Sequence, residues 1–400
     1  MRRGKSESPL SRAWQSFKKS KSALFGLLVI ILSVFVSIMG GVIRPDSSPN
    51  ANAQELSIAK KGIGFKVPTI QIKNVSANGE DSWWNMLFFG GVSEDYIAIP
   101  YHDYEIDGDS ISGHLYGGET GIAGRPFRYH LVEVVYGARG AIKSDGDNYQ
   151  FRSLDGQPLS VKKGVVMIQV IGLIGEKTFW LGTDKFGRDM LSRLMAGTIV
   201  SLSVGFISVL ISLLLGISLG ATAGYFGGRT DDLITWIINV VWSIPTLLLV
   251  IAITFALGKG FVQVFIAVGL TMWVEVARVV RGQVMVVKNL EYVAAAKVLG
   301  YSKPRIIFRH IVPNVMGPVI VISAANFASA ILLEAGLSFL GIGAQIPMAS
   351  WGRMIKDHYP YITTDLAYLA ILPGLCIVLL VLAFTLVGNG LRQSFDKRAA

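Results

Sequence analysis

Cysteine is almost absent: Cys376 is the only one in 400 residues, so no disulfide can form within the chain. It lies in an apolar run, where a lone thiol reads as a small buried hydrophobe. Charge is scarce too. Asp, Glu, Lys and Arg make up 16% of the chain, against roughly 25% in soluble domains, which excludes an ordinary soluble fold for most of its length. No G-x-x-x-x-G-K-[ST] string occurs; the nearest, starting at Gly172 and Gly224, lack the glycine–lysine order that cradles phosphates. Any work driven by a nucleotide must draw its energy from another polypeptide. The histidines, His102, His114, His130, His310 and His358, form no H-x-x-x-H or H-E-x-x-H, so no zinc signature is present. No nucleophile–base constellation stands out either. Neither a catalytic residue nor a metal nor a cofactor is therefore assigned.

What is present is apolar sequence, 52% of residues with a mean hydropathy of +0.50, gathered into blocks. Runs occupy about 23–43, 199–226, 233–257, 261–280, 315–340 and 366–387. Each approaches the ~20 residues a helix needs to cross ~30 Å of hydrocarbon. In lipid the backbone must satisfy itself, so such runs are helical. The predicted class is an all-α polytopic membrane protein with six transmembrane helices. The first run follows Arg2, Arg3, Lys5, Arg12, Lys18, Lys19 and Lys21, as a signal peptide would. It is longer than an h-region of about 7–15 residues and has no clear cleavage site, so it reads as an uncleaved span.

The net charge of +10 would suit a nucleic-acid binder if it formed one basic face. Instead the basic residues flank apolar runs, where they orient spans. The 1–22 segment, the stretch carrying Arg278, Arg281, Lys288, Lys297, Lys303, Arg305 and Arg309 against Glu291, and the tail with Arg392, Lys397 and Arg398 all belong inside. Six spans satisfy that, with both termini cytoplasmic and 44–198 outside. Within the outer interval, 44–175 reads as a β-rich extracytoplasmic insertion, followed by a core at 176–400 that holds the remaining spans. Val67–Lys73, Tyr96–Ile106, His130–Tyr136 and Val161–Ile174 have strand texture, and Ser144-Asp-Gly-Asp is turn chemistry. Gly40–Asn52 reads as a linker, and Trp83-Trp84 as insertion core or a ligand platform.

Several polar groups need weighing. Asp184, Arg188 and Asp189 suggest either a metal or acid–base site, or a structural network. In the network Asp184 would cap a following short helix, with Arg188 and Arg193 pairing acids or headgroups. Glu275 and Arg278 are spaced to pair on one helix. Glu334, inside a span without a local partner, is a candidate for the outer mouth of a channel. Asn239 and Asn326 read as interhelical hydrogen bonders, and Gly205, Gly216, Gly220 and Gly224 as packing or pore-lining positions.

The loop at 282–313 is the most informative. Good helix formers from Glu291 end at Gly300, a C′ residue; Pro304 starts a second helix and Pro313-Asn closes it before the next span. Connecting structure or a rest on anionic lipid would explain it without further function. It resembles the EAA loop of importer-type ABC permeases: Ala294, Ala295 and Ala296 stand at E-A-A, Gly300 is the glycine, and Val312-Pro313 stand for L-P. Ala294 replaces the family glutamate, Glu291 lies one turn earlier, and His310 replaces an isoleucine.

Further strings resemble the C-type permease of oligopeptide/dipeptide (nickel) importers. They are Leu181-Gly182-Thr183-Asp184-Lys-Phe-Gly187-Arg188-Asp189-Met-Leu-Ser192-Arg193, Glu334-Ala-Gly-Leu-Ser-Phe-Leu-Gly, Ser350-Trp-Gly-Arg and Leu382-Ala-Phe-Thr385-Leu-Val-Gly-Asn389. The resemblance implies a type I ABC importer permease fold. It also implies a heterodimer with a second, B-type permease, two cytoplasmic ATP-binding subunits, an extracytoplasmic solute-binding protein, a bacterial inner membrane and peptide cargo. Nickel or another small solute is the alternative cargo. A membrane-anchored enzyme or a sensor with an outer β domain is the remote alternative. The insertion lies mostly outside the resemblance.

Overall fold

The computed structural model describes residues 14–76, 94–138, 140–258 and 260–396. Trp83-Trp84, the basic residues from Arg2 to Arg12, Lys397 and Arg398 lie outside them. Two compact units emerge: Met1–Ser37, Gly197–Lys356 and Ala370–Ala400 form one, Ile38–Ala196 and Asp357–Leu369 the other.

The first unit is helical. Its helices are α1 (Lys21–Ile43), α4 (Met190–Phe226), α5 (Gly228–Trp242), α6 (Thr246–Leu257), α7 (Phe261–Val287), α8 (Glu291–Val298), α9 (Lys303–Ile306), α10 (Val312–Leu340) and α12 (Tyr368–Asp396), with the C-terminal end of α1 and the N-terminal ends of α4 and α12 in the second unit. Five helical stretches are long and apolar enough to cross a membrane: α1, α4, α7, the stretch Lys303–Leu340, and α12. The sixth expected span is broken. α5 and α6 meet at 92° across Ser243–Pro245. Proline lacks an N–H and disfavours helical backbone in the residue before it, so the run that reads as one span in the sequence bends sharply at Pro245.

The α4 glycines are packing positions. A Cβ at Gly216 would meet Val276, at Gly220 the Ala277 carbonyl, and at Gly224 the Arg281 carbonyl and Val284. Small residues here let α4 and α7 approach backbone to backbone. Below that contact, Val280, Val284, Val293, Ile306, Ile307, Ile311 and Val315 share one buried cluster.

The second unit carries the strands β1 (Phe65–Lys73), β2 (Tyr96–Asp107), β3 (Ser110–Tyr116), β4 (Ala123–His130), β5 (Lys143–Asp145), β6 (Asn148–Arg152), β7 (Pro158–Lys162) and β8 (Ile174–Phe179), with helices α2 (Leu131–Tyr136), α3 (Lys163–Gly172) and α11 (Trp351–His358), the last running in from the first unit. A five-stranded antiparallel sheet has the order β4-β3-β2-β1-β8, and β5-β6-β7 form a second sheet. Register in the large sheet pairs Ile70 with Ile99. Ile70 and Ile111 from that sheet, Tyr149 and Phe151 from the small one, and Leu131, Val132, Val166 and Val170 from α2 and α3 form a single core.

Two expected strands are wholly or partly helical. His130–Tyr136 alternates like a strand, but the His130 N–H donates to Glu133 Oε2 at 3.0 Å while its Nδ1 accepts from the Val132 N–H at 3.2 Å. That reciprocal cap starts α2, and Gly137 at φ +64 ends it. In Val161–Ile174 only the ends are extended, and α3 occupies the middle with Val166 and Val170 on its inner face. β8 pairs with β1 as far as Phe179, so the sheet continues beyond residue 175.

Candidate functional site

The loop between α7 and α10 is built from local rules. Leu290 is extended, α8 follows, and Gly300 takes φ +75 to end it. The Tyr301 N–H reaches back to the Ala296 carbonyl at 3.2 Å and the Gly300 N–H to Lys297 at 3.0 Å, a Schellman-type closure. Pro304 sits in the first turn of α9, where its missing N–H costs little.

Pro313 does not close that helix, contrary to the sequence reading. A π turn, Ile307–Ile311, links α9 to α10, and Pro313 lies at the start of α10. A wider turn accommodates a residue that has no N–H to donate and whose ring crowds the preceding turn. The result is one continuous helical stretch from Lys303 to Leu340.

The loop has an inner and an outer face. Val293, Ala296, Ile306, Ile307 and Ile311 are buried, while Ala294, Ala295, Glu291 and Pro313 are exposed. Val298 is 88% and Leu299 69% exposed beside the turn, and Phe308 in the π turn is 58% exposed. His310 stacks on Tyr301 at 5.6 Å, Arg305 covers the other ring contact of Tyr301 at 4.3 Å, and the His310 carbonyl accepts from Asn314 Nδ2 at 2.7 Å. Burial holds the Tyr292 hydroxyl above the usual phenol range.

Two supports of this region escaped the sequence reading. Arg281 on α7 binds Asp231 on α5 through both carboxylate oxygens, at 2.5 and 2.6 Å. Lys288 Nζ donates to the Gly224 carbonyl near the end of α4 at 2.7 Å, where a cation complements the helix dipole. The Glu275–Arg278 pair does not form. Arg278 lies over the Trp242 ring instead, 3.4 Å from its centroid, a stacking that suits a planar guanidinium.

The string before α4 forms a second site. Asp184 caps a tight turn, not a helix: its Oδ1 accepts from the N–H groups of Phe186 at 2.8 Å and Arg188 at 3.0 Å. Its Oδ2 binds Arg188 Nε at 2.6 Å, with both side chains buried. The segment after α1 is clamped here rather than slack. The Thr183 hydroxyl donates to the Ile58 carbonyl and accepts from the Lys61 N–H, Arg188 reaches Asn52 Oδ1, and Arg193 reaches the Asn50 carbonyl. Gly182 and Gly187 have φ +71 and +75. Each also leaves no room for a Cβ, which would run into the carbonyls of Lys61 and Glu55 respectively. Ser192 joins both halves: its N–H donates to Asp189 Oδ2 at 2.8 Å, its hydroxyl also binds that oxygen, and it accepts from the Asp46 N–H at 2.9 Å. Burial pushes the Asp189 carboxyl up. Among the described residues no group of three or more His, Cys, Asp or Glu is placed to hold a metal.

Glu334 has local partners after all. Oε1 accepts from Ser338 Oγ at 2.6 Å and Ser350 Oγ at 2.8 Å, and the residue is 1% exposed.

The family model described as "Binding-protein-dependent transport system inner membrane component" matches residues 212–400, and "N-terminal TM domain of oligopeptide transport permease C" matches 8–57. The oligopeptide transport system permease protein OppC of Bacillus subtilis (strain 168) is 40% identical over 222 residues, covering 56% of this chain and 72% of that one. The dipeptide transport system permease protein DppC of the same strain is 42% identical over 219 residues, 55% of this chain and 68% of that one. The glutathione transport system permease protein GsiD of Pectobacterium atrosepticum is 40% identical over 222 residues, 55% and 72% of the two chains. Among solved structures, an inward-facing MetNI methionine ABC transporter overlaps 52% of this chain and 97% of that one, at 16% identity and a TM-score of 0.42.

Proposed function

The chain belongs to the binding-protein-dependent transport permeases, in the oligopeptide/dipeptide C-type branch, and from that premise we propose that it forms half of a translocation channel for short peptides and takes its energy from separate ATPase subunits. The observation that carries the coupling is the turn at Gly300. It holds Val298 and Leu299 outward, and Phe308 in the π turn is exposed as well, large apolar side chains of the kind that mark an interaction surface. A cleft on a cytoplasmic ATPase would cover them. Ala294 offers no carboxylate to that cleft, so Glu291 and the apolar patch carry the docking.

Movement at the patch passes to the membrane through Lys303–Leu340, because the π turn and Pro313 leave that stretch helical. The bundle then alternates between inward and outward opening, and no bond of the cargo is broken here. The working assembly has a second, B-type permease, two ATP-binding subunits and a solute-binding protein. Both termini and 282–313 face the cytoplasm and 44–198 the outside, with the bent α5–α6 pair as one span. The clamped loop at Gly182–Arg193 fixes the entry of α4 relative to the segment leaving α1. Glu334 stands near the outer mouth as a braced group. Nickel or another small solute would use the same machinery with a different binding protein.

The test is co-purification. Tagged chain should retain an ATPase subunit, and L299D with F308D should release it while keeping the second permease. Retention of the ATPase by the double variant would remove the docking assignment.

A further inference from the structure

The second unit contains a cavity of about 350 Å³ that the transport reading does not use. Its wall combines the segment after α1, the strands β1, β2 and β8, and the loop before α4, all within one unit. Four carboxylates line it, Asp46, Glu55, Glu94 and Asp189, against one basic residue, Lys177. Ile58, Ile97, Pro100 and Phe179 supply apolar wall.

An acidic cluster alone says little, since carboxylates also hold loops together. Asp46 is fully spent that way, with Oδ1 accepting from the Ser48 N–H and Oδ2 from Ala53. The others are half spent. Glu55 uses Oε1 on Ser57, Glu94 uses Oε1 on Ser47, and Asp189 uses Oδ2 on Ser192. Asp189 is 2% exposed, yet its Oδ1 has no hydrogen-bond partner. Among the described residues no bond is recorded to Glu55 Oε2 or Glu94 Oε2 either. A buried carboxylate oxygen without a donor is costly, and Asp189 Oδ1, with the half-buried Glu55 and Glu94 on the same wall, calls for a cation that carries N–H groups.

We propose that this cavity binds a primary ammonium group, in the first instance the free α-ammonium of a short unblocked peptide. A primary ammonium has three N–H donors and no acceptor, which matches a wall of carboxylates with one buried oxygen left without a donor. The volume suits a dipeptide-sized ligand, and the apolar wall takes its side chain. Lys177 is the internal competitor for the same carboxylates. The choice of a peptide amine rests on the transport reading; the choice of an ammonium does not.

The test uses the full chain with its co-purifying subunits in nanodiscs, without the solute-binding protein, so that binding is read apart from uptake and ATPase coupling. Alanyl-alanine, N-acetyl-alanyl-alanine, n-butylamine and magnesium are titrated by calorimetry. The dipeptide and the amine should bind, and the acetylated peptide should not. E94Q, which keeps the Ser47 contact, should weaken the dipeptide about tenfold, and K177M should strengthen it. Equal binding of the acetylated peptide, no binding of either amine, or unchanged affinity in both E94Q and D189N would overturn the proposal. Butylamine binding without dipeptide binding would keep the ammonium site and remove the peptide as its ligand. A magnesium signal abolished by E94Q, with no amine signal, would replace the ammonium with a metal and refute it. Loss of ATPase docking in L299D/F308D has no bearing on these readouts.

Discussion

Gly300 is where a small change should have a large and specific effect. Its φ of +75 lies in the left-handed region, which costs an L-residue about 1–2 kcal/mol and a β-branched one more. A Cβ added there meets nothing within 4 Å, so the penalty is conformational and not a clash. Gly300→Ala should therefore weaken the closing turn by about 1 kcal/mol, and Gly300→Val by about 2–3 kcal/mol. Gly300→Asn should cost a few tenths, because asparagine tolerates this region. Each ~1.4 kcal/mol shifts the population of the native turn tenfold, whereas a fold of 5–15 kcal/mol survives all three. The expected result is graded loss of peptide uptake in the order Asn, Ala, Val, with the subunits still assembled and ATP still hydrolysed. Cells or proteoliposomes supply uptake, and the purified complex supplies ATPase rate and composition. Wild-type uptake in the valine variant, or equal loss in all three, would show that the turn does not transmit the coupling.

Three other outcomes follow from the packing. Gly187→Ala adds a Cβ into the Glu55 carbonyl at φ +75, so it should cost more than about 3 kcal/mol and lower yield and thermal midpoint, whereas Gly164→Ala, with open space, should not. Asp231→Asn removes one charge from the bidentate contact with Arg281 and should cost about 2 kcal/mol; a double-mutant cycle with Arg281→Gln that shows no coupling would refute this. Burial lowers the His130 pKa below its usual 6.5, so the unfolded chain takes up the proton first; the contribution of neutral His130 to stability is fully present above pH 6.5 and is lost as pH falls through that value toward the folded one. Amide exchange of Val132–Val135 should accelerate between pH 7.5 and 5.5 after correction for intrinsic rates, and His130→Asn should flatten the change.

Apolar length was the readable part of the fold. Runs without charge leave helices as the only solution in lipid, and α1, α7 and α12 lie where composition puts them. Proline's consequences were not readable. Pro245 and Pro313 lack the same N–H, yet one accompanies a 92° break and the other sits in a helix that continues through a π turn. What differs is the surrounding packing, with Ile306, Ile307 and Ile311 buried in one cluster beside Pro313. The α2 error had a local remedy: His130 with Glu133 three residues on is a capping pattern, hidden by the alternating valines. Asp231 with Arg281, and the clamp of Thr183 and Ser192 on the chain after α1, join residues 50 to 146 positions apart. No periodicity reports such pairs, because they depend on which helices meet.

The stiffness of the chain on either side of Gly300 bears on why coupling would work at all. A push at the apolar patch does work on the bundle only if it is not absorbed before reaching a span. On the N-terminal side, α8 is pinned through Val293 and Ala296, and α7 is tied to α5 by two short charge-assisted bonds and to α4 by Lys288. On the C-terminal side the helix runs on from Lys303 without a flexible joint. The compliant element between these two is the left-handed turn itself, whose geometry has one glycine and two backbone hydrogen bonds to hold it. A load at Val298 and Leu299 is thus applied next to the turn, and the buried cluster that Val293 and Ala296 share with Ile306, Ile307, Ile311 and Val315 passes it to the start of α10.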